Sequence, residues 1–351
     1  MEIRTLHPDE REALGELLDA LTLTDGWKAG AFYRRYREQD PTYADENVWV
    51  ALEGGRPQAC VQVFPRRVRV LGHAVPSGGI GSHFTAPEQR GSGIAGKLLE
   101  AAVDAMVRRG LELSLVFGDE RRQFYRNRGW ASWQGERTIL RMSEGHPPLS
   151  GEQRARDGEI EIAPFDRGRD FAAVKAIHSA YSASRNGTVV RDDALWEASL
   201  KLAGNPDEEF LVARRGGNTV AYVRVALLGG LLTVTELARR EDAASPLALL
   251  MASTLEPREG DFLASGRLSS PQLRSSSLLP AFDDLQLTVA MEQRGIASHP
   301  VDNPSTMLRC LDMPALARRL DVSLFPGESA EEFLARILPR DSLVFWPADR
   351  F

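Results

Sequence analysis

Cysteine is scarce. Only Cys60 and Cys310 occur, in unrelated contexts and without metal-ligand spacing, so neither a disulfide framework nor a thiolate metal site is expected. Both read as small buried apolar residues, and a reducing cytoplasm is the expected location. Long apolar runs are missing too. No stretch reaches the roughly 18 residues that a membrane-spanning helix needs, and Met1-Glu2-Ile3-Arg4-Thr5 carries no apolar signal core. The expectation is a soluble, unprocessed protein with no membrane partner. Nor is there an excess of basic charge. The formal net charge is -6, whereas a nucleic-acid binder needs a basic face that displaces counterions from phosphates. The same balance is compatible with a cationic small molecule as substrate. Low-complexity tracts are absent, and 43% hydrophobic with 26% charged residues is ordinary for a folded protein. At 351 residues two domains are expected rather than one.

What is present is an internal repeat, its two copies about 160 residues apart. Glu2-Ile3-Arg4 leading into 9–20 matches Glu161-Ile162-Ala163 leading into 170–180, each a short strand followed by a helix with apolar residues three and four apart. The second match is closer. Asp45-Glu46-Asn47-Val48-Trp49-Val50-Ala51, then Gly54-Gly55 and Ala59-Cys60-Val61-Gln62-Val63, parallels Asp207-Glu208-Glu209-Phe210-Leu211-Val212-Ala213, then Gly216-Gly217 and Ala221-Tyr222-Val223-Arg224-Val225. Both read as strand, two-glycine hairpin, strand. Two homologous α/β units follow, expected at 1–145 and 159–306, with a Pro- and Gly-rich linker at 146–158 and a C-terminal segment at 307–351.

In the first unit, further strands are expected at 66–71 and 74–85 around Gly72-His73. Residues 93–109 place Leu98, Leu99, Ala102, Val103 and Met106 on one helix face, ended by Gly110. A short apolar strand at 111–117 precedes a helix from Asp119 to Arg128, closed by Gly129. Between strand and helix stands Arg90-Gly91-Ser92-Gly93-Ile94-Ala95-Gly96. Glycines at 91 and 93 let successive backbone N–H groups curl into one concavity at a helix N-terminus, which binds phosphate oxygens. Such a turn also serves as a tight connection. A dinucleotide site is disfavoured, because no acidic ribose partner ends a second strand.

Two motifs together carry a resemblance. Arg90-x-x-Gly93-x-Ala95 matches the Arg/Gln-x-x-Gly-x-Gly/Ala pattern of the GNAT acetyltransferase superfamily. One helix and one strand later, Phe124-Tyr125-Arg126-Asn127-Arg128-Gly129-Trp130 resembles its second signature, a tyrosine four residues before a glycine-aromatic pair. The resemblance implies acetyl-CoA as cofactor, no metal, a pantetheine arm paired with the strand ending at His83-Phe84-Thr85, and a pyrophosphate on amides from Gly91 to Gly96. Tyr125 is then the catalytic candidate, a general acid for the departing coenzyme A thiolate. Arg121, Arg122, Arg126 and Arg128 would make its surroundings positive, although each also reads as a helix-surface charge. No role is expected for the His83 side chain beyond packing.

The second copy lacks the turn. Arg239-Arg240-Glu241-Asp242-Ala243-Ala244-Ser245-Pro246 stands in its place, with no glycine and two carboxylates. An active GNAT unit followed by a degenerate one resembles the Eis-like (enhanced intracellular survival) acetyltransferases, which acetylate amines of aminoglycosides, polyamine-like compounds or lysine. The segment from Met307 to Leu316 is similar to one that follows the second domain in that family. The resemblance implies that the C-terminal carboxylate, here of Phe351, acts as the base for the attacking ammonium. The remainder after Met307 is too short for the sterol-carrier-like third domain of that family. For the amine substrate, the helical stretch 23–36 offers Asp25, Trp27, Phe32 and Tyr36, an aromatic and acidic mix suited to a cation; packing of its aromatics on the sheet is the competing reading. The expected activity is direct acetyl transfer to a cationic small-molecule amine. Protein-lysine acetylation and a non-catalytic coenzyme A sensor are the alternatives, and a homo-oligomer is compatible with the sequence.

Overall fold

Two seven-stranded sheets carry the chain, and their strand orders repeat one another as the sequence does. The structure is a computed structural model in which residues 1–21, 28–117, 121–133, 135–143, 158–202, 208–228, 231–255, 276–280, 284–303, 306–339 and 343–349 are described. The first sheet runs β1 (Glu2–Thr5), β2 (Val48–Glu53), β3 (Arg56–Val70), β4 (His73–Thr85), β5 (Leu113–Phe117), then β14 (Thr306–Cys310) and β6 (Ala131–Ser132). The second runs β8 (Ile160–Pro164), β9 (Glu209–Arg215), β10 (Asn218–Leu228), β11 (Leu231–Arg239), β12 (Ser276–Pro280), then β7 (Gly135–Met142) and β13 (Ile296–Asn303). In each sheet the fourth and fifth strands are parallel while the other pairs are antiparallel. This is the mixed α/β, tandem GNAT-like architecture expected. The paired glycines of the two hairpins have nearly the same conformation, φ +56° and +78° at Gly54-Gly55 and +56° and +79° at Gly216-Gly217. Positive φ at both central residues is what a two-residue hairpin turn requires.

The sheets do not divide at the boundaries expected from the sequence. The sixth strand of each comes from the other half: β7 pairs with β12, and β14 pairs with β5. A bare edge on β5 would expose a row of backbone donors and acceptors, and β14 covers it with Met307 opposite Val116 and Leu308 opposite Leu115, all buried. The two strands expected before Gly72 are also one, with β3 passing through Pro65 opposite Gly78.

Helix α1 (Arg11–Leu18) and helix α2 (Ala29–Gln39) pack on one another beside β3. Helix α3 (Ile94–Arg108) buries the expected face, Leu98, Leu99, Ala102, Val103 and Met106, against Val61, Val63 and Ile80. Helix α4 is shorter than expected, Arg122–Arg126, and turns at Gly129 with φ +87°. The second sheet carries α5 (Arg167–Ser182), α6 (Asp193–Leu202), α7 (Ala244–Leu255) and α8 (Leu285–Glu292). The C-terminal helices α9 (Met313–Leu320) and α10 (Ala330–Ile337) return to the first sheet, where Leu316, Phe333, Leu334 and Ile337 pack with Val68, Leu115 and Trp133. The fully buried Trp133 donates its indole N–H to the Leu338 carbonyl at 2.9 Å. No helix among the described residues is long and apolar enough to cross a membrane.

Candidate active site

The site begins where β4 stops being an ordinary strand. Its pairing with β3 slips between Cys60 and Gln62, and Ser82 takes φ +46°, a left-handed conformation unusual outside glycine. Such a bulge re-aims the side chains that follow it. On the opposite edge β4 pairs with β5 only from Ser77 to Ile80. From Gly81 to Thr85 that edge has no strand partner among the described residues, so the backbone of His83, Phe84 and Thr85 lies along the gap left where the β4–β5 pairing ends.

After β4 the chain makes one 3-10 turn, Pro87–Gln89, and enters the glycine turn. Gly91 and Gly93 both have φ +82°, and Gly93 is the residue from which α3 starts. A Cβ at either would meet nothing within 4 Å, so the turn is open on the side those glycines present. Gly91, Ser92 and Gly93 are exposed along with Arg90, while Ile94 and Gly96 are buried and Ala95 is half-buried. The amides of Ile94, Ala95 and Gly96 head the helix, where helical geometry supplies no acceptor. Together with the positive end of the dipole they fit an anionic phosphate. Gly96 serves a different purpose: a Cβ there would lie 2.5 Å from Arg128 Nη2, so its absence lets the guanidinium reach the first turn of α3.

The His83 side chain links this turn to Tyr125. Its Nε2 lies 3.3 Å from the Ala95 carbonyl and its Nδ1 lies 2.9 Å from the Tyr125 hydroxyl. A carbonyl only accepts, so Nε2 carries the hydrogen, Nδ1 accepts, and the phenol donates. Burial, then the charge of Arg121, pushes the imidazole down to about 4, which keeps it neutral at pH 7. Burial also pushes Tyr125 up to about 12, against the pull of Arg121, so the phenol keeps its proton. The Tyr125 ring is held edge-on against Phe124 and Trp130, at centroid distances of 5.3 Å and 5.8 Å.

The four arginines divide. Arg121 donates to the His83 carbonyl at 3.0 Å. Arg128 stacks 3.9 Å over the Phe124 ring and donates to the Phe124 carbonyl at 3.0 Å. Arg122 and Arg126 instead line a separate recess with Trp130, Leu308 and Leu334. Among the described residues, the positive charge felt by the His83–Tyr125 pair comes from Arg121, which acts on both, and from Arg128, which acts on His83. Sequence reasoning gave the His83 imidazole only a packing role, and a histidine two residues from the end of an apolar strand carries no signal for more.

Of the residues expected to meet the amine, Asp25 and Trp27 lie outside the described residues, as does Phe351. Phe32 is half-buried, and Tyr36 is buried with its ring 5.1 Å from Phe64, edge-on. Helix α2 therefore turns Tyr33 and Tyr36 into the core, the packing alternative. Cys60 donates to the Ser82 carbonyl at 3.0 Å, and burial pushes its thiol up to about 12, a poor nucleophile. Among the described residues no group of three His, Cys, Asp or Glu side chains could hold a metal.

In the second half the corresponding connection from β11 to α7 contains no glycine. Arg239 pairs with Asp284 at 2.8 Å, and Asp242 pairs with Arg215 at 2.9 Å.

The profile of an acetyltransferase (GNAT) domain matches residues 2–132. No curated protein matches the sequence. Among solved structures, a GCN5-related N-acetyltransferase from Kribbella flavida superposes with TM-score 0.61 at 18% identity, covering 94% of this chain and 76% of that one. Eis1 from Mycobacterium abscessus gives 0.58 at 16% identity, over 91% of this chain and 76% of its own. An N-myristoyltransferase from Saccharomyces cerevisiae with bound myristoyl-CoA gives 0.53 at 11% identity, over 88% and 78%. At these identities the likeness is one of fold, and it extends over both halves of the chain.

Proposed function

We propose, from the premise that residues 2–132 are a GNAT acetyltransferase domain, that this chain transfers acetyl from acetyl-CoA directly to a primary amine of a cationic small molecule, polyamine-like or aminoglycoside-like. The observation that carries the reading is the His83 side chain, which joins a protonated phenol to a helix-headed glycine turn. In this reading the amides from Gly91 to Gly96 bind the pyrophosphate, with Arg90 and Ser92 on the exposed rim, and His83 to Thr85 pair with the pantetheine arm. The amine nitrogen bonds to the thioester carbon as the C–S bond breaks. Tyr125 gives its phenolic proton to the departing sulfur and regains one from the N–H proton that the nitrogen sheds as the amide forms, while Arg121 and Arg128 oppose the negative charge that develops. The terminal carboxylate of Phe351 is proposed as the acceptor of the ammonium proton, and Asp25, Trp27 and Phe32 as the wall nearest the amine. The second half, without a phosphate turn, shapes the acceptor side. No activated cysteine takes part, so transfer is direct.

Release of coenzyme A thiol from acetyl-CoA, measured against polyamines, aminoglycosides and lysyl peptides, tests the reading. Stimulation by the small cationic amines is expected. Stimulation by the peptides alone would shift the function to protein lysines, and acetyl-CoA binding without any release would leave a sensor. A second expectation concerns the turn. Gly93→Val forces a β-branched residue into φ +82° and should weaken acetyl-CoA binding at least about tenfold in calorimetry, with a stability loss of about 1–2 kcal/mol. Unchanged affinity would remove the turn from the cofactor site.

A further inference from the structure

The ribbon from Asn186 to Arg191 belongs by sequence to the second half, yet it is stitched to the first. Gly187 N–H donates to the Arg69 carbonyl at 2.8 Å, Arg69 N–H to the Thr188 carbonyl at 2.9 Å, and Val190 N–H to the Arg67 carbonyl at 2.8 Å, extending β3 by an antiparallel partner. The other side of the same ribbon receives the tail: Val344 N–H donates to the Asn186 carbonyl at 2.8 Å. The approach is close enough that a Cβ at Gly187, where φ is +92°, would fall 2.6 Å from the Val344 carbonyl oxygen. One residue on, Phe345 packs against Phe117 with ring centroids 4.7 Å apart. Phe117 is the last residue of β5, just past the point where β4 and β5 part. The tail therefore runs past the end of β5 on the sheet face opposite α3 and Tyr125.

At the end of the ribbon Arg191 is buried, with 1% of its side chain exposed. Its Nε donates to Asp349 Oδ1 of the tail at 2.7 Å, its Nη2 donates to Glu236 of β11, and its guanidinium lies 4.6 Å over the Trp196 ring of α6. One side chain thus joins a ribbon fixed to the first sheet, the core of the second sheet and the tail. Asp349 is also within electrostatic reach of Tyr36 and Arg66 of the first half. The arrangement is not saturated, since Arg191 Nη1 and Asp349 Oδ2 are buried without a hydrogen-bond partner among the described residues. An apolar plug would hold the tail at less desolvation cost than a buried ion pair. What the pair adds is direction, because a planar guanidinium accepts a carboxylate in few orientations.

We propose that Arg191 is a positioning residue for acetyl transfer, pinning the C-terminal tail through Asp349 on the acceptor side of the gap where the β4–β5 pairing ends. This rests on the acetyl-transfer reading above. The acetyl-CoA turn lies on α3 and the Arg191–Asp349 pair on the tail side, so the two substrates should respond differently to its loss.

The test uses the full chain carrying Asp349→Ala, which leaves the Arg191–Glu236 pair in place and so spares the second core, with Asp349→Asn as the conservative variant. Hydrogen exchange at the Val344 and Asp349 amides is read beside Michaelis constants for the most active amine and for acetyl-CoA. In Asp349→Ala, exchange should quicken at least about tenfold, and the amine KM should rise about tenfold while that for acetyl-CoA stays within about twofold. Asn, which keeps an oxygen for Arg191 Nε, should restore part of both effects. Unchanged exchange would overturn the clamp. Faster exchange with an unchanged amine KM, or with both constants rising together, would overturn its positioning role. Absence of turnover with every amine in the unaltered protein would instead refute acetyl transfer, and the exchange arm would still report on the clamp.

Discussion

Tyr125→Phe should lower turnover by about 100- to 1000-fold while acetyl-CoA binds within about twofold of the unaltered protein. The substitution keeps the ring, and with it the edge-on contacts to Phe124 and Trp130. It removes only the hydroxyl, whose hydrogen goes to His83 Nδ1 at 2.9 Å. A stability loss of about 1 kcal/mol is expected from the imidazole nitrogen left without its donor, too little to explain a hundredfold loss of rate. The pH dependence separates the roles further. With Tyr125 pushed up to about 12 and His83 down to about 4, neither group changes charge between about pH 5 and pH 10. The rising limb of kcat/KM in that range then belongs to the amine and its base. It should keep its midpoint in Tyr125→Phe while the plateau falls. Single-turnover kinetics and a pH profile read both; a plateau at the unaltered rate would end the general-acid assignment.

Much of this site was legible in the sequence, because its requirements are local. Positive φ at Gly91 and Gly93 is available cheaply only to glycine, so the turn shows in the residue types. The buried face of α3 shows in the spacing of Leu98, Leu99, Ala102, Val103 and Met106. The repeat shows in the two glycine hairpins. The rest depended on partners distant in the chain. Nothing in an alternating run such as residues 135–142 says which sheet it joins, so the reciprocal exchange of β7 and β14 could not be read from pattern. Arg121, Arg122, Arg126 and Arg128 are indistinguishable by type. Arg121 and Arg128, which flank the five-residue helix, reach His83 and Phe124, while Arg122 and Arg126 within it line another recess. Tyr36 was placed on the substrate wall by composition, yet its burial against Phe64 is a consequence of how α2 sits on β3. Glu236, a single acid within an apolar strand, gave no hint that it anchors a buried network.

That network gives the second large effect. Glu236→Gln is expected to cost about 3–5 kcal/mol of stability at pH 7, the range for breaking a buried ion pair. Glu236 is fully buried, accepts the Tyr222 hydroxyl at 2.6 Å, and pairs with Arg191. The amide would keep the shape and one acceptor but would leave Arg191 to share only Asp349. The pH dependence carries the signature. Despite the burial that opposes ionisation, Arg191, then His178 and Arg224, hold the Glu236 carboxyl near 2, against an ordinary value of 4.5. A depressed carboxylate stabilises the fold fully above its unfolded value and loses that contribution as pH falls through the folded one. Here the loss sets in below about pH 4.5 and grows as pH falls toward the folded value. Asp349 works the other way, since burial outweighs Arg191 and pushes its carboxyl up, so its ionisation opposes folding. The acid limb between pH 4.5 and 2 should therefore flatten in Glu236→Gln, and denaturant unfolding at pH 7, 5 and 3 measures this. Parallel curves for the two proteins would mean that Glu236 is no more strongly held in the fold than in the unfolded chain. Flattening would place the charge that fixes Arg191, and through Arg191 the tail, inside the second half, which lacks the phosphate turn.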